Sequence, residues 1–488
     1  MLRFRLFLAL GASLAGAGAV CLAACSGDSP ALPAAADAAE AAVAPLDAPV
    51  DRGPILPPDD ASKRACKLDN GTDPVGLCIQ KKVLRGQHEA AFSSQGVVAS
   101  WDSLSFAADK GDGGVALHDL HDDVAYGASI ALYHTSSGRY GDTEYTQTLD
   151  ADLLKLVPIL ETELKTLPQE YGGELYAQLR LVAAGLRYVD RNSDADAIDV
   201  LADAYGRAIY KAHFFPIGMG DGGPLDGILA SDAVTLEYAP ADVVTGALAL
   251  LDMAQRHALD DAASAAAWQT AARLSIDHVV VRAHEPVTKM YLRSLRVVPG
   301  GTKDDSSHAP APADLVLSDV AATIALALTR AQDLVTKNPT ALSKVSTYPF
   351  EVHAEEAIAS LNAAPPLWDA MGLGYMEGYV PSTTTLLTGK PTRTNALMFA
   401  AIHRANLTGT TPFGPQLKPL RTLMLERVPP NTTFFSLDGN QSGYFLKVSK
   451  GFAFAANDAG LEPRAKSYFS AAASAAVEGL NEQYFGVP

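Results

Sequence analysis

From about residue 115 to the C-terminus, apolar positions recur with helical spacing, in runs broken by Gly, Pro and Asp turns. In residues 240–257, Val243, Val244, Ala247, Leu248 and Leu251 share one face of a helix, while Thr245, Asp252 and Gln255 fall elsewhere. Residues 319–328 are apolar nearly all round, which predicts a helix buried on several sides. The two kinds alternate: a small-residue-rich helix opens after a polar or proline-bearing turn, and a more amphipathic one follows. Six pairs can be drawn, namely 121–134 with 150–167, 173–189 with 196–214, 240–257 with 261–283, 317–335 with 353–364, 393–407 with 416–428, and 443–457 with 462–480. An inner layer wrapped by an outer one satisfies this alternation, so the fold class expected is all-α.

Six such hairpins resemble the (α/α)6 toroid of six-hairpin glycosidases and N-acylglucosamine epimerase-like proteins. The fifth pair, "RTNALMFAAIHRANLTGTTPF", carries the resemblance most closely. A right-handed α-solenoid also stacks helical pairs, but unequal pair lengths and the lack of a fixed period favour the toroid. The resemblance implies a cleft at one end of the ring, lined by acids at the ends of inner helices and suited to a poly- or oligosaccharide.

Ahead of this body, Arg3 and Arg5 precede an apolar run from Leu6 to Leu22, too short and alanine-rich for a convincing membrane span. It ends in "LAAC", and Leu22 to Cys25 resemble the lipobox of bacterial lipoproteins. That resemblance implies a signal peptide over 1–24, a lipid on Cys25, and a membrane contact through that anchor alone. Ser26 after the cysteine resembles the outer-membrane sorting pattern, so the expected location is the outer membrane, on its periplasmic or cell-surface side. Residues 25–61 are rich in Ala, Pro and Asp and read as a solvated tether. The segment 62–114 carries Cys66 and Cys78, an even pair closing a short turn-rich loop, which outside the cytoplasm most simply forms a disulfide. The helical domain is expected over 115–488.

The formal charge of −17 and the lack of basic clusters exclude nucleic acid as a partner. Dinucleotide, P-loop, nucleophile-elbow and zinc-protease motifs are all missing, and no cofactor is expected. Two long connections interrupt the helices. Residues 285–314, with "KDDSS" and alternating Ala and Pro, are expected to be mobile; residues 365–391, with Trp368, Tyr375 and Tyr379 among glycines, are expected to form an ordered lid or rim.

The stretch "LHDLHDDVAYG" holds the first candidate chemistry. Asp122 and Asp123 resemble the paired aspartates of a mannan-degrading family on this fold, in which one carboxyl stays protonated and the other ionised. However, Asp123, Asp242 and Asp319 recur at equivalent helix starts, a pattern that serves capping and the helix dipole. Asp122 has no counterpart and is the better functional candidate. His118, His121 and Asp122 offer ligands of a type a divalent ion takes, but only if the helix already begins at His118, and no metal is expected. Asp190, Asn192, Asp194 and Asp196 alternate as in calcium loops, yet Ala195 and Leu201 stand where the glycine and glutamate belong, so a capped turn is expected. Glu377 in "GYMEGY" and Glu237 in "TLEYAPAD" complete the catalytic candidates, with Trp101, His121, Trp368, Tyr375 and Tyr379 as walls that bind substrate. A hydrolase reading requires two of these acids to converge within about 5 to 9.5 Å. The alternative is a surface lipoprotein that binds a glycan or a protein without turnover. Only three tryptophans occur, few for a sugar cleft, and Trp268 is placed in a helix core.

Overall fold

A computed structural model describes the chain continuously over residues 120–140, 146–220, 223–298, 307–310, 314–371 and 374–391, over 92–98, and at isolated positions between 84 and 118 and between 394 and 420. All of these belong to one compact unit, Pro54–Pro488. The proposed signal, the tether, Cys25, Cys66, Cys78, Trp101 and the sixth helical pair lie outside the described residues, as does most of the fifth.

Among the described residues eight helices alternate as the hydrophobic pattern requires: α1 (Leu120–Tyr140), α2 (Thr146–Glu163), α3 (Glu174–Tyr188), α4 (Asn192–His213), α5 (Pro240–Arg256), α6 (Ala262–Arg282), α7 (Ser318–Lys337) and α8 (Phe350–Ser360). The odd-numbered ones form an inner layer. On α3, Leu175, Leu179, Val182 and Leu186 are buried, and Glu174 in the first turn with Arg187 in the last suits the helix dipole. On α7 both faces are buried, from Val320, Ala321 and Ala322 through Ala325 and Leu328 to Ala331. Each fully buried Leu or Val contributes about 1.5–3 kcal/mol.

Contacts between these helices fix their direction. Gly127 faces Val182 and Gly185 faces Ala131, so α1 and α3 run parallel. Gly173 lies against Thr245, and Arg180 stands 3.5 Å from Asp252, so α3 and α5 run parallel as well. At the far end Gln255 donates to Asn338 at 3.4 Å, which brings the C-termini of α5 and α7 together. Two of these approaches require glycine: a Cβ on Gly173 would overlap the Thr245 carbonyl oxygen, and one on Gly185 would press into Ala131. Parallel inner helices place four N-termini at one end of the body.

Short strands decorate that end. β1 (Phe92–Ser93) and β2 (Gly96–Val97) form a hairpin against α1; β3 (Phe214–Gly220) and β4 (Gly223–Leu229) form a longer one between α4 and α5. β5 (Glu237–Tyr238), β6 (Leu295–Val298) and β7 (Ser307–Pro310) make a second small antiparallel sheet. β8 (Val316–Leu317), β11 (Gly378–Val380) and β12 (Thr385–Leu387) make a third, with β9 (Trp368–Asp369) paired to β10 (Gly374–Tyr375) beside it. In the connection 285–314, Met290, Tyr291, Leu292, Leu295 and Val297 are buried and β6 pairs with β7, while residues 299–306 and 311–313, which hold most of the stretch expected to be mobile, lie outside the described residues. The connection 365–391 forms ordered strands at the rim.

Candidate functional site

The end where the inner helices begin gathers His121, Asp122 and Asp123 from α1, Gly172 and Gly173 before α3, Asp242 on α5 and Asp319 on α7. Backbone and side-chain bonds stitch the entrances together. Gly173 N–H donates to Thr245 Oγ1 at 3.1 Å, and Ala239 N–H donates to the Tyr171 hydroxyl at 2.7 Å. Glu237 is half-buried in β5 opposite Arg296, reached through Leu236, whose left-handed φ of 45° turns the chain into the strand.

The opening histidines and aspartates part company. His118 Nδ1 stands 3.2 Å from the Val97 carbonyl, whereas His121 Nε2 stands 2.8 Å from Glu170 Oε1. Asp123 is fully buried, and its Oδ1 accepts from Val97 N–H at 2.5 Å. Gly96, at φ 110°, leaves room for that carboxylate, since a Cβ there would lie 2.6 Å from Asp123 Oδ1. Asp123 therefore anchors the N-terminal hairpin, a role that the capping expectation did not include. Asp122 is buried beside it, 1 % exposed. Among the described residues no three His, Cys, Asp or Glu side chains group to hold a metal ion. The Asp190–Asp196 turn is capped by arginines: Arg191 pairs with Asp194 at 2.9 Å and Arg187 with Asp196 at 2.8 Å.

Glu377 occupies the turn between β10 and β11, at the start of α7. Ser318 N–H donates to its carbonyl at 2.9 Å, Ser318 Oγ–H donates to the Met376 carbonyl at 2.7 Å, and Glu377 N–H donates to the Gly389 carbonyl at 2.6 Å. The residue is exposed at the rim, yet enough protein surrounds its carboxyl for desolvation to hold its pKa above the ordinary carboxylate range, with repulsion from Asp319 adding to the effect. Asp319 sits in the first turn of α7, where the helix N-terminus favours negative charge. The Asp319 carboxyl is thus near enough to Glu377 to raise its pKa further by repulsion. The sequence reading chose Glu377 and missed Asp319, because Asp319 matched the repeated helix-start acid and its partner lies 58 residues away.

The expected aromatic walls divide. Trp368 is half-buried and packs on Tyr375 with ring centroids 5.0 Å apart. Tyr375 is fully buried, its hydroxyl donating to Gln416 at 3.2 Å, and Tyr379 is 7 % exposed. These two tyrosines pack the base of the rim and offer no open face to a sugar, a correction that follows from their place in the apolar layer beneath β10 and β11. Trp268 is in the core, 2 % exposed, as the helical pattern requires.

No protein-family profile matches the chain, and no curated protein matches it in sequence. Solved structures do match in fold. An unsaturated glucuronyl hydrolase specific for heparin superposes with a TM-score of 0.52 at 11% identity, over 83% of this chain and 97% of that one. The unsaturated glucuronyl hydrolase of Streptococcus agalactiae gives 0.51 at 8% identity, over 89% and 98%. That of Bacillus sp. GL1, responsible for the degradation of glycosaminoglycan, gives 0.50 at 12% identity, over 84% and 96%. Alternating inner and outer helices and these likenesses agree: the chain has the six-hairpin α/α toroid fold of glycosidases.

Proposed function

We propose that this protein hydrolyses a glycosidic bond in a poly- or oligosaccharide at the end where its inner helices begin. The observation that carries the reading is the Glu377 and Asp319 pair, with Glu377 biased to hold a proton. Glu377 gives that proton to the glycosidic oxygen as its bond to the anomeric carbon breaks. Water adds to the anomeric carbon and leaves its proton on the Asp319 carboxylate, so one water is consumed for each bond cut. The acid role is favoured by a raised pKa, and desolvation together with repulsion from Asp319 pushes Glu377 in that direction. The fold likeness to enzymes that act on saccharides supports the reading, although fold alone does not name a substrate.

The test is release of reducing ends from a panel of neutral, amino and uronic-acid oligosaccharides, comparing the wild type with Glu377→Gln. Turnover that Glu377→Gln abolishes while the melting temperature holds supports the proposal. Saccharide binding without turnover on every substrate contradicts it and favours a non-catalytic glycan-binding protein.

The same protein is proposed to be lipid-anchored through Cys25 at the bacterial outer membrane. The ordered run of charge, apolar residues and "LAAC" supports this. Incorporation of labelled palmitate, lost in Cys25→Ala, is the expected outcome; label retained in that variant contradicts it. A Cys66–Cys78 disulfide is proposed on the even cysteine count and is checked by thiol labelling before and after reduction.

A further inference from the structure

The strand that leads into Glu377 and the segment that lies over it meet on one buried side chain. β10 pairs with β9 along one edge, where Met376 N–H donates to the Leu367 carbonyl at 2.8 Å. On the other edge Tyr375 N–H donates to Asn395 Oδ1 at 2.7 Å, and Asn395 Nδ2 donates back to the Tyr375 carbonyl at 3.1 Å. The same Nδ2 donates to the Pro391 carbonyl at 3.0 Å, which also accepts the Asn395 backbone N–H at 3.1 Å. Asn395 is fully buried and belongs to the fifth inner run, residues 393–407. An amide side chain offers an acceptor and two donors in one plane, and here they stand in for the edge of a further strand. The spacing is symmetrical about the acid. Tyr375 stands two residues before Glu377, Pro391 stands two residues after Gly389, and between them the Glu377 N–H donates to the Gly389 carbonyl at 2.6 Å. Gly389 in turn lies against the carboxyl, since a Cβ on it would stand 3.3 Å from Glu377 Oε2.

We infer that Asn395 is a positioning residue for Glu377: its one amide ties β10 to residues 389–391 and so holds Gly389 against the carboxyl of the acid. The inference rests on the catalytic reading of Glu377 for its significance, but the tie itself is readable without turnover. Replacing Asn395 removes the partner that Tyr375 and Pro391 share. Gly389 then draws back, water reaches the Glu377 carboxyl, and the ionised form gains solvation. Among the described residues the charged groups on the elements packed around Glu377 are Asp319 on α7, Asp369 on β9 and Lys390 beside Gly389, the last two 2.7 Å apart. An uncharged substitution at residue 395 adds nothing to this set, so the change it brings comes from solvent. Gln269 on α6 makes the same kind of tie at the opposite end of the body: its Nε2 donates to the Ala341 carbonyl at 2.9 Å, and its Oε1 accepts from Lys344 N–H at 3.1 Å.

The experiment is a carbon-13 NMR titration of the Glu377 carboxyl in the full chain, its resonance assigned by its loss in Glu377→Gln, with Gln269→Ala as the control for losing a buried amide tie. Asn395→Ala and Asn395→Ser are expected to lower the titration midpoint by about 0.5–1 pH unit. On an oligosaccharide that the wild type cleaves they are expected to lower kcat by about 10-fold with KM little changed. Gln269→Ala is expected to lower the melting temperature and to leave both the midpoint and kcat where they are. If neither Asn395 variant folds, amide exchange in the wild type decides: the N–H groups of Tyr375 and Glu377 are expected to open as one unit with equal protection, and separate opening would overturn the inference. An unchanged midpoint in a folded Asn395 variant, or equal lowering by Gln269→Ala, would also overturn it and leave the amide a plain structural tie. Failure of the catalytic reading is read separately, as wild-type protein that cuts no saccharide or a Glu377→Gln variant that remains active.

Discussion

At the residue scale, the polar groups that open α1 each take a different partner. "HDDVAYG" reads as one constellation, yet His118, His121 and Asp123 turn to Val97, Glu170 and β2 respectively. Asp123→Ala is expected to cost about 1.5–3 kcal/mol in urea unfolding, since it removes a charged acceptor from a buried N–H. Glu377→Gln is expected to lower kcat by at least ~100-fold with the fold intact. Because the protonated acid is the working form, wild-type activity should fall as pH rises through a pKa that lies above the usual carboxylate range. His284 gives a pH effect of another kind. Burial, helped by Lys289, lowers its pKa from 6.5 to about 4. The unfolded chain takes up this proton near pH 6.5 while the fold resists it to about pH 4, so stability is full above pH 6.5 and declines as pH falls through that window. The decline amounts to at most ~3.5 kcal/mol from this residue and should be blunted in His284→Gln, as read from denaturant midpoints between pH 7 and 4.

At the scale of elements, the helices were legible and the strands were not. Among the described residues eight helices stand within a few residues of the runs that periodicity marked, because each buries a stripe its own sequence writes. A strand of two or three residues writes no such stripe. β8 is a strand because β11, 62 residues later, pairs with it, and that pairing, with the Ser318 hydrogen bonds, seats Glu377 at the start of α7. Gly378 shows how close the approach is, since a Cβ there would overlap the Val316 carbonyl oxygen. Gly378→Ala should therefore displace β11 and reduce hydrolysis far more than it reduces global stability, a contrast measurable by parallel kinetics and thermal melts. Gly173→Ala, which would push α3 off α5 in the core, should instead destabilise the whole body by roughly 1–3 kcal/mol.

At the scale of the molecule, direction is what turns helices into a site. Parallel inner helices bring the starts of α1, α3, α5 and α7 to one end, and residues far apart in sequence meet there. Farther along the helices the charges are tied instead to one another: Arg180 and Arg187 bind Asp199, Arg256 binds Asp203, and Tyr176 donates to Asp252 at 2.6 Å. Those groups are paired with partners from α3, α4 and α5, whereas at the rim desolvation and Asp319 raise the pKa of Glu377. The most direct measurement is a crystal structure of Glu377→Gln with an oligosaccharide that the wild type cleaves. The account predicts the scissile glycosidic oxygen within hydrogen-bonding distance of the residue 377 amide, with the Asp319 carboxylate on the same sugar. A sugar seated elsewhere on the body, with residue 377 untouched, would contradict it.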